Sequence, residues 1–234
     1  MQELDSRLDQ LRHQAANPPE AAALKEQAAI RARVDGRARD LRVQVDDLTR
    51  EQRKADADVE QVKARRGRDQ QRLDGGMVTN PKDLERLQHE LVSLDRRISD
   101  LEDAELDVME RLEAVQTELE QLDVELGAVD ERMASLTAAR DERVAALREE
   151  ATEVAGRRRS TVADVPEELV TLYEKLRGQK DGVGAAALRA RRCGGCSLEL
   201  DHSELADIAK QPSDAVIRCE ECGRILVRTH ESGL

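Results

Sequence analysis

The residues with the clearest capacity for chemistry are four cysteines, all within the last 42 of 234 positions, arranged as Cys193-Gly194-Gly195-Cys196 and Cys219-Glu220-Glu221-Cys222. Two Cys-x2-Cys pairs with 22 residues between them can present four thiolates tetrahedrally to one Zn2+, the ligand set of a closed structural site. Each pair makes a knuckle whose backbone N–H groups point toward the sulfurs, and Gly194, Gly195 and Gly223 offer the backbone freedom of such tight turns. The competing readings are two disulfides or a redox pair. A cytosolic chain does not keep structural disulfides, and a redox motif needs only one pair on a thioredoxin-like unit. His202 and His230 are rival donors, but four thiolates already close the shell and leave both histidines to the surface. Four thiolates with one structural Zn2+ deepen the formal charge from −12 to about −14.

Around these knuckles lie Arg191, Arg192, Arg218, Arg224 and Arg228, the candidate contacts for nucleic acid or for a partner, with Arg189 beside them. Residues 190–234 nevertheless hold six Lys/Arg against eight Asp/Glu, and no aromatics interleave. Lys63, Arg65, Arg66, Arg68 and Arg72 form a second basic run. An acidic chain without clustered cations or a stacking platform is a poor general binder of phosphate backbones. An enzyme needs a nucleophile, a base or an open metal position in a pocket. Here the metal shell is closed, and His89-Glu90 has no second histidine at metal spacing. No catalytic residue and no small-molecule substrate are expected.

The elements that must carry this module read as coiled coil. Roughly half of the chain is Ala, Glu, Lys, Leu and Arg, the mark of long helices. From Leu84 to Leu136 apolar residues recur at alternating steps of 3 and 4, interrupted only by Glu105. That sustained 3.5-residue period winds a left-handed supercoil. A weaker stripe runs from Leu24 to Leu73, with polar residues such as Arg31, Gln52 and Arg66 in it. The break between them, residues 74–83, contains Gly75-Gly76 and Asn80-Pro81, and Thr79 or Asn80 can cap the next helix. A short break between matched stripes predicts an antiparallel hairpin. Pairing Leu73 with Leu84 sets Leu24 opposite Met133 and brings Leu4, Leu8 and Leu11 beside residues 146–153. Asn17-Pro18-Pro19 breaks the ascending side. The charges fit such pairing, since residues 20–73 carry +3 and residues 100–155 carry −13.

The heptads fail after Gly156-Arg157-Arg158-Arg159, and Val165-Pro166-Glu167-Glu168 opens a short helix bearing Leu169, Leu172, Tyr173 and Leu176. Gly178–Gly184 reads as a linker. Strands are expected at Ala185–Leu188, Leu198–Leu200, Ala215–Ile217 and Ile225–Val227, with a small helix capped by Ser203. The organisation is therefore a coiled-coil hairpin over 1–160, a short helix and linker over 161–184, and a zinc module over 185–234. So small a β module depends on its metal for folding energy. The fold class is mainly α, a long antiparallel hairpin with a small C-terminal β ribbon. No apolar run approaches the ~20 residues of a membrane span, and the start lacks the basic end and apolar stretch of a signal peptide. A cytoplasmic location with no membrane partner follows as the expectation.

The chain resembles the bacterial coiled-coil hairpin proteins that end in a C4-type zinc ribbon. The likeness rests on Asn80-Pro81-Lys82-Asp83-Leu84, on Val165-Pro166-Glu167-Glu168-Leu169 with Tyr173, and on Cys219-Glu220-Glu221-Cys222-Gly223-Arg224-Ile225-Leu226. It covers nearly the whole length. It implies a non-enzymatic adaptor or scaffold whose partner is a protein of the gene-expression machinery, a sigma factor among them. Binding of RNA or DNA through the ribbon is the alternative. Related tails often place an aromatic after the Ile-Leu pair, where this chain has Val227.

Overall fold

The computed structural model describes residues 1–234 as α1 (Gln2–Ala16), α2 (Glu20–Asp74), α3 (Pro81–Ala163), α4 (Glu167–Gln179), β1 (Ala185–Arg189), β2 (Arg192–Cys193), α5 (His202–Lys210), β3 (Ile217–Arg218) and β4 (Ile225–Val227). No helix is long and apolar enough to cross a membrane. The chain divides into two compact units, one of Ala22–Leu136 and one combining Met1–Ala21 with Thr137–Leu234.

The first of these is an antiparallel helix pair. The loop between α2 and α3 ends on Asn80, whose side chain accepts from the Lys82 N–H at 3.1 Å, with Pro81 as the first helical residue. Proline there forfeits no hydrogen bond, because the first helical N–H groups have no intrahelical partner. Heptad positions bury as their period requires: Val34, Ala38, Leu41 and Leu122 form one cluster, with Val115, Leu119 and Leu126 packed against it.

The alignment differs from the expected one by three residues. Arg37 meets Glu118 at 2.5 Å and Arg42 meets Asp123 at 2.6 Å, and these flanking pairs centre Ala38 on Leu122. Arg66 on Asp95 and Lys63 on Glu102 continue the same alignment toward the loop. Leu73 is thereby set against Leu87 rather than Leu84, and Leu24 against Leu136 rather than Met133. Leu87 is buried while Leu84 is only half-buried, in the capped first turn of α3. Charge pairing beside the seam selects the register, as in coiled coils generally. Cysteines placed at Leu48 and Leu112 are therefore expected to cross-link within one chain, faster than a Leu48–Met109 pair. Cross-links formed only between chains, detected by gel and mass spectrometry, would show that the helices pair between subunits instead.

In the second unit, Pro18-Pro19 separates α1 from α2 as the sequence requires. Leu8 and Leu11 of α1 are buried with Val154 of α3, and Leu4, Leu147 and Ala151 pack around them. α3 does not stop at Gly156–Arg159 but runs on to Ala163. Arg158 holds this last stretch, giving its Nε to Asp5 at 2.5 Å and its Nη2 to Glu174. Asp5 is 1 % exposed and also accepts from the Tyr173 hydroxyl at 2.8 Å.

The segment read as a short helix and linker is built into this unit. Tyr173 and Leu176 of α4 bury against Ile225 of β4, with Met1 and Ala185 beside them. The Gln2 side chain donates to the Gly182 carbonyl and accepts from the Gly184 N–H, both within 2.9 Å. Backbone groups that a free linker would leave to water are thus satisfied by α1.

The C-terminal sheet has the order β2-β1-β4-β3, with β1 parallel to β4 and the other pairs antiparallel. Three expected strands are present, Ile225–Val227 with the expected bounds and the other two with shifted ends. The fourth, Leu198–Leu200, is not a strand; the chain pairs earlier, at Arg192–Cys193, with a single bridge from Arg192 to Glu199. The knuckle consumes the intervening residues, so the apolar alternation there cannot extend along the sheet. The cap of α5 is Asp201, whose carboxylate accepts from the Glu204 N–H at 2.8 Å, while Ser203 donates its hydroxyl to Asp201.

Candidate metal centre

The two knuckles hang on the sheet. Cys193 ends β2 opposite Leu188 of β1, and Cys219 follows β3, with its N–H on the Arg224 carbonyl at 3.0 Å. Within each knuckle the residue after the second cysteine bonds back to the first: Ser197 N–H to Cys193 O and Gly223 N–H to Cys219 O, both at 2.8 Å. These turns require a left-handed residue at that place. Gly223 (φ 73°) adopts it without a Cβ penalty, and Ser197 (φ 64°) adopts it in the first knuckle.

Gly194 and Gly195 serve a different purpose from the one the sequence suggests. Neither has positive φ; instead a Cβ at Gly194 would lie 2.9 Å from the Ala187 carbonyl, and one at Gly195 would lie 2.5 Å from Arg224 Cδ. They are small because the knuckle lies close against β1 and Arg224.

All four sulfurs lie within 4.8 Å of one another, with Cys193–Cys222 at 3.8 Å and Cys196–Cys219 at 3.9 Å. Tetrahedral zinc with Zn–S bonds of about 2.3 Å places sulfurs about 3.8 Å apart, so the thiolates fit the ion. The Gly195 N–H also points at Cys193 Sγ, at 3.4 Å. Burial pushes the Cys193 thiol up and the Cys219 thiol up to about 12. At Cys222 burial also acts upward, but hydrogen bonds from the backbone N–H and guanidinium of Arg224, with those of Cys219 and Cys196, together bring the thiol down to about 7. Zinc binding must therefore expel protons from buried thiols, as metal sites of this type do. His202 and His230 are exposed and stand outside the four-sulfur group. This is a C4 centre for one structural zinc.

The five arginines near the knuckles fall into two groups. Arg224 is half-buried and gives its donors to the carbonyls of Val183, Lys180 and Gly195, at 2.9–3.2 Å. Arg228 likewise satisfies the carbonyls of Ile208 and Gln211, at 3.2 and 2.8 Å, and that of Pro212. Both are internal clamps, and sequence offers no sign of it because their acceptors are backbone atoms. Arg191, Arg192 and Arg218 are exposed; Arg192 sits 3.4 Å from Glu199, and Arg218 caps the Gly223 carbonyl at 2.9 Å.

Residues 1–181 match the CT398-like coiled coil hairpin domain and residues 192–226 the C4-type zinc ribbon domain. Uncharacterized protein Rv2229c of Mycobacterium tuberculosis is 36 % identical over 225 residues, 96 % of this chain and 91 % of that protein. Uncharacterized protein ML1638 of Mycobacterium leprae is 28 % identical over 230 residues, 96 % of each. A solved structure from Mycobacterium smegmatis superposes with a TM-score of 0.82 at 33 % identity, covering 97 % of this chain and 94 % of that one. CT398 from Chlamydia trachomatis superposes at 0.65 with 18 % identity and the same coverage, which shows a shared fold. With the hairpin match spanning more than half of the residues and the ribbon match following it, the chain belongs to the family of CT398-like coiled-coil hairpin proteins that carry a C-terminal C4 zinc ribbon.

Proposed function

We propose that this chain is a non-enzymatic, zinc-stabilised adaptor that binds a protein partner through its ribbon. The observation that carries the reading is the ribbon's surface. Leu198, Val216 and Val227 are each about half exposed there (50, 50 and 46 %), while four of the five nearby arginines donate to backbone carbonyls, Arg224 and Arg228 to three each. Protein interfaces take their core from such apolar groups, whereas nucleic-acid binding draws on free cations. Four thiolates also fill the zinc shell, leaving no position for a substrate or a reactive water. By resemblance, the partner class is a sigma factor or another component of gene expression.

The test is a salt series on the zinc-loaded chain, with single-stranded RNA and a purified alternative sigma factor as the two ligands. A protein contact resting on apolar groups is expected to persist at high salt and to be lost on Val216→Asp with Val227→Asp. Contact of RNA with only Arg191, Arg192 and Arg218 would give a log K against log salt slope of about −2, at roughly −0.7 per phosphate. Submicromolar RNA binding with a steeper slope, and no salt-resistant protein complex, would reverse the assignment in favour of a nucleic-acid regulator.

A further inference from the structure

A recess of about 600 Å³ lies where α1, the end of α3 and α4 meet, and four arginines line it: Arg12, Arg158, Arg159 and Arg177. We propose that this recess binds a phosphate oxyanion, either free or carried as a monoester on a small body. This is separate from the adaptor reading, which rests on the ribbon.

The charge balance is the first reason. Asp5 and Glu174 line the recess and Asp9 pairs with Arg177 at 2.7 Å, so four guanidiniums stand against three carboxylates in a chain of net charge −12. Arg159 has none of these carboxylates as a partner, and Arg12 reaches only Asp9, at 3.4 Å. The second reason is an orphaned donor. Arg177 Nε is buried without a hydrogen-bond acceptor, although the side chain is held by Asp9 through Nη2. A buried donor left unpaired is costly, so the Arg177 side chain would gain by turning toward an acceptor in the recess that it lines.

The geometry favours a tetrahedral anion. The donors come from three helices rather than from one plane, which suits three phosphate oxygens with a charge of about −1.5 to −2 at neutral pH. Guanidinium forks are suited to such oxygens. Leu8, Ala151 and Ala155 supply an apolar wall on which the rest of a monoester could lie. The volume falls within the range of small-ligand sites, about 300–1,000 Å³.

The experiment follows the arginine Nε–Hε signals of the zinc-loaded full chain by NMR, with calorimetry, at low ionic strength. The probes are inorganic phosphate, adenosine 5′-monophosphate, adenosine and a glutamate-rich peptide. Phosphate and the monophosphate are expected to shift the Arg177 signal saturably, and adenosine to leave it unmoved. Tighter binding of the monophosphate than of phosphate assigns a monoester, and equal or weaker binding assigns the free ion. Arg12→Ala and Arg159→Ala, both at exposed positions, are each expected to weaken binding by about tenfold, as for loss of one charged hydrogen bond. The proposal is overturned by no saturable shift up to about 10 mM of either phosphate probe, a limit corresponding to only a few kcal/mol. A response to the acidic peptide alone, or binding unchanged in both variants, overturns it as well.

Discussion

Cys219→Ser, or removal of zinc by a strong chelator, is expected to unfold residues 185–230 and leave most of the helical circular-dichroism signal in place. Cys193 and Cys219 belong to the ribbon's buried cluster, with Leu188, Leu200, Leu205 and Leu226. Losing one ligand therefore opens the core as well as the metal site. Structural zinc supplies about 10–16 kcal/mol of apparent binding energy in small zinc modules, more than so small a sheet could replace. The helices at risk are short: α5 has nine residues, against 55 in α2 and 83 in α3. The damage should reach α4, because Ile225 buries against Tyr173 and Leu176. Limited proteolysis should therefore cut first between residues 180 and 230, with the α2–α3 pair intact. Collapse of most ellipticity at 222 nm on chelation would show that the coiled coil depends on the metal.

The second large effect is expected at Asp5. Asp5→Ala leaves Arg158 without its buried acceptor and the Tyr173 hydroxyl without its partner. Breaking a buried charge pair on one side costs about 3–5 kcal/mol, whereas Tyr173→Phe, which removes one hydroxyl and leaves the carboxylate with Arg158, should cost about 1 kcal/mol. Hydrogen exchange of α1 and α4 amides would read the loss locally. Equal effects of the two substitutions would show that the ion pair adds nothing beyond the hydroxyl.

The same cluster makes a pH prediction. Burial first, and then the hydrogen bond to Asp5, push the Tyr173 hydroxyl above its ordinary value of 10.0. The folded chain thus keeps a proton that the unfolded chain gives up. The associated stability is fully present below pH 10 and is lost as pH rises from there toward the folded value. Tyr173 is the only tyrosine and tryptophan is absent, so absorbance at 295 nm follows this one group. A midpoint near 10 in the folded chain would contradict the buried bond.

Long-period features were legible from residue types alone. The heptads, the Pro18-Pro19 break, the Asn80-Pro81 start and the four cysteines all act through local or repeating physics, and all appear where expected. The hairpin's alignment was only half legible from its leucines, since pairing Leu73 with Leu84 already matches every second stripe position and only the three-residue step to Leu87 matches the rest. Arg37–Glu118 and Arg42–Asp123 distinguish the alternatives, and their partners lie 81 residues apart. At the ribbon, residue type misleads in two directions. Arg224 and Arg228 look like free cations but answer to backbone carbonyls, which carry no signature in a sequence. Ser197 shows no glycine signal, yet it occupies the left-handed place that Gly223 fills in the second knuckle.

The bond from Gln2 to Gly184, and that from Tyr173 to Asp5, span 182 and 168 residues. During synthesis on the ribosome, α1 therefore emerges long before anything exists for its buried face to cover. The Ala22–Leu136 pair is a compact unit by itself and can close while the rest is still being made. Leu8 and Leu11 must wait for Val154, and Asp5 for Tyr173. Late closure of such distant contacts is slow, and the waiting apolar face is exposed to misassociation. On this order of events α1 is the segment that a nascent-chain chaperone would need to shield until Tyr173 and Gly184 have been made.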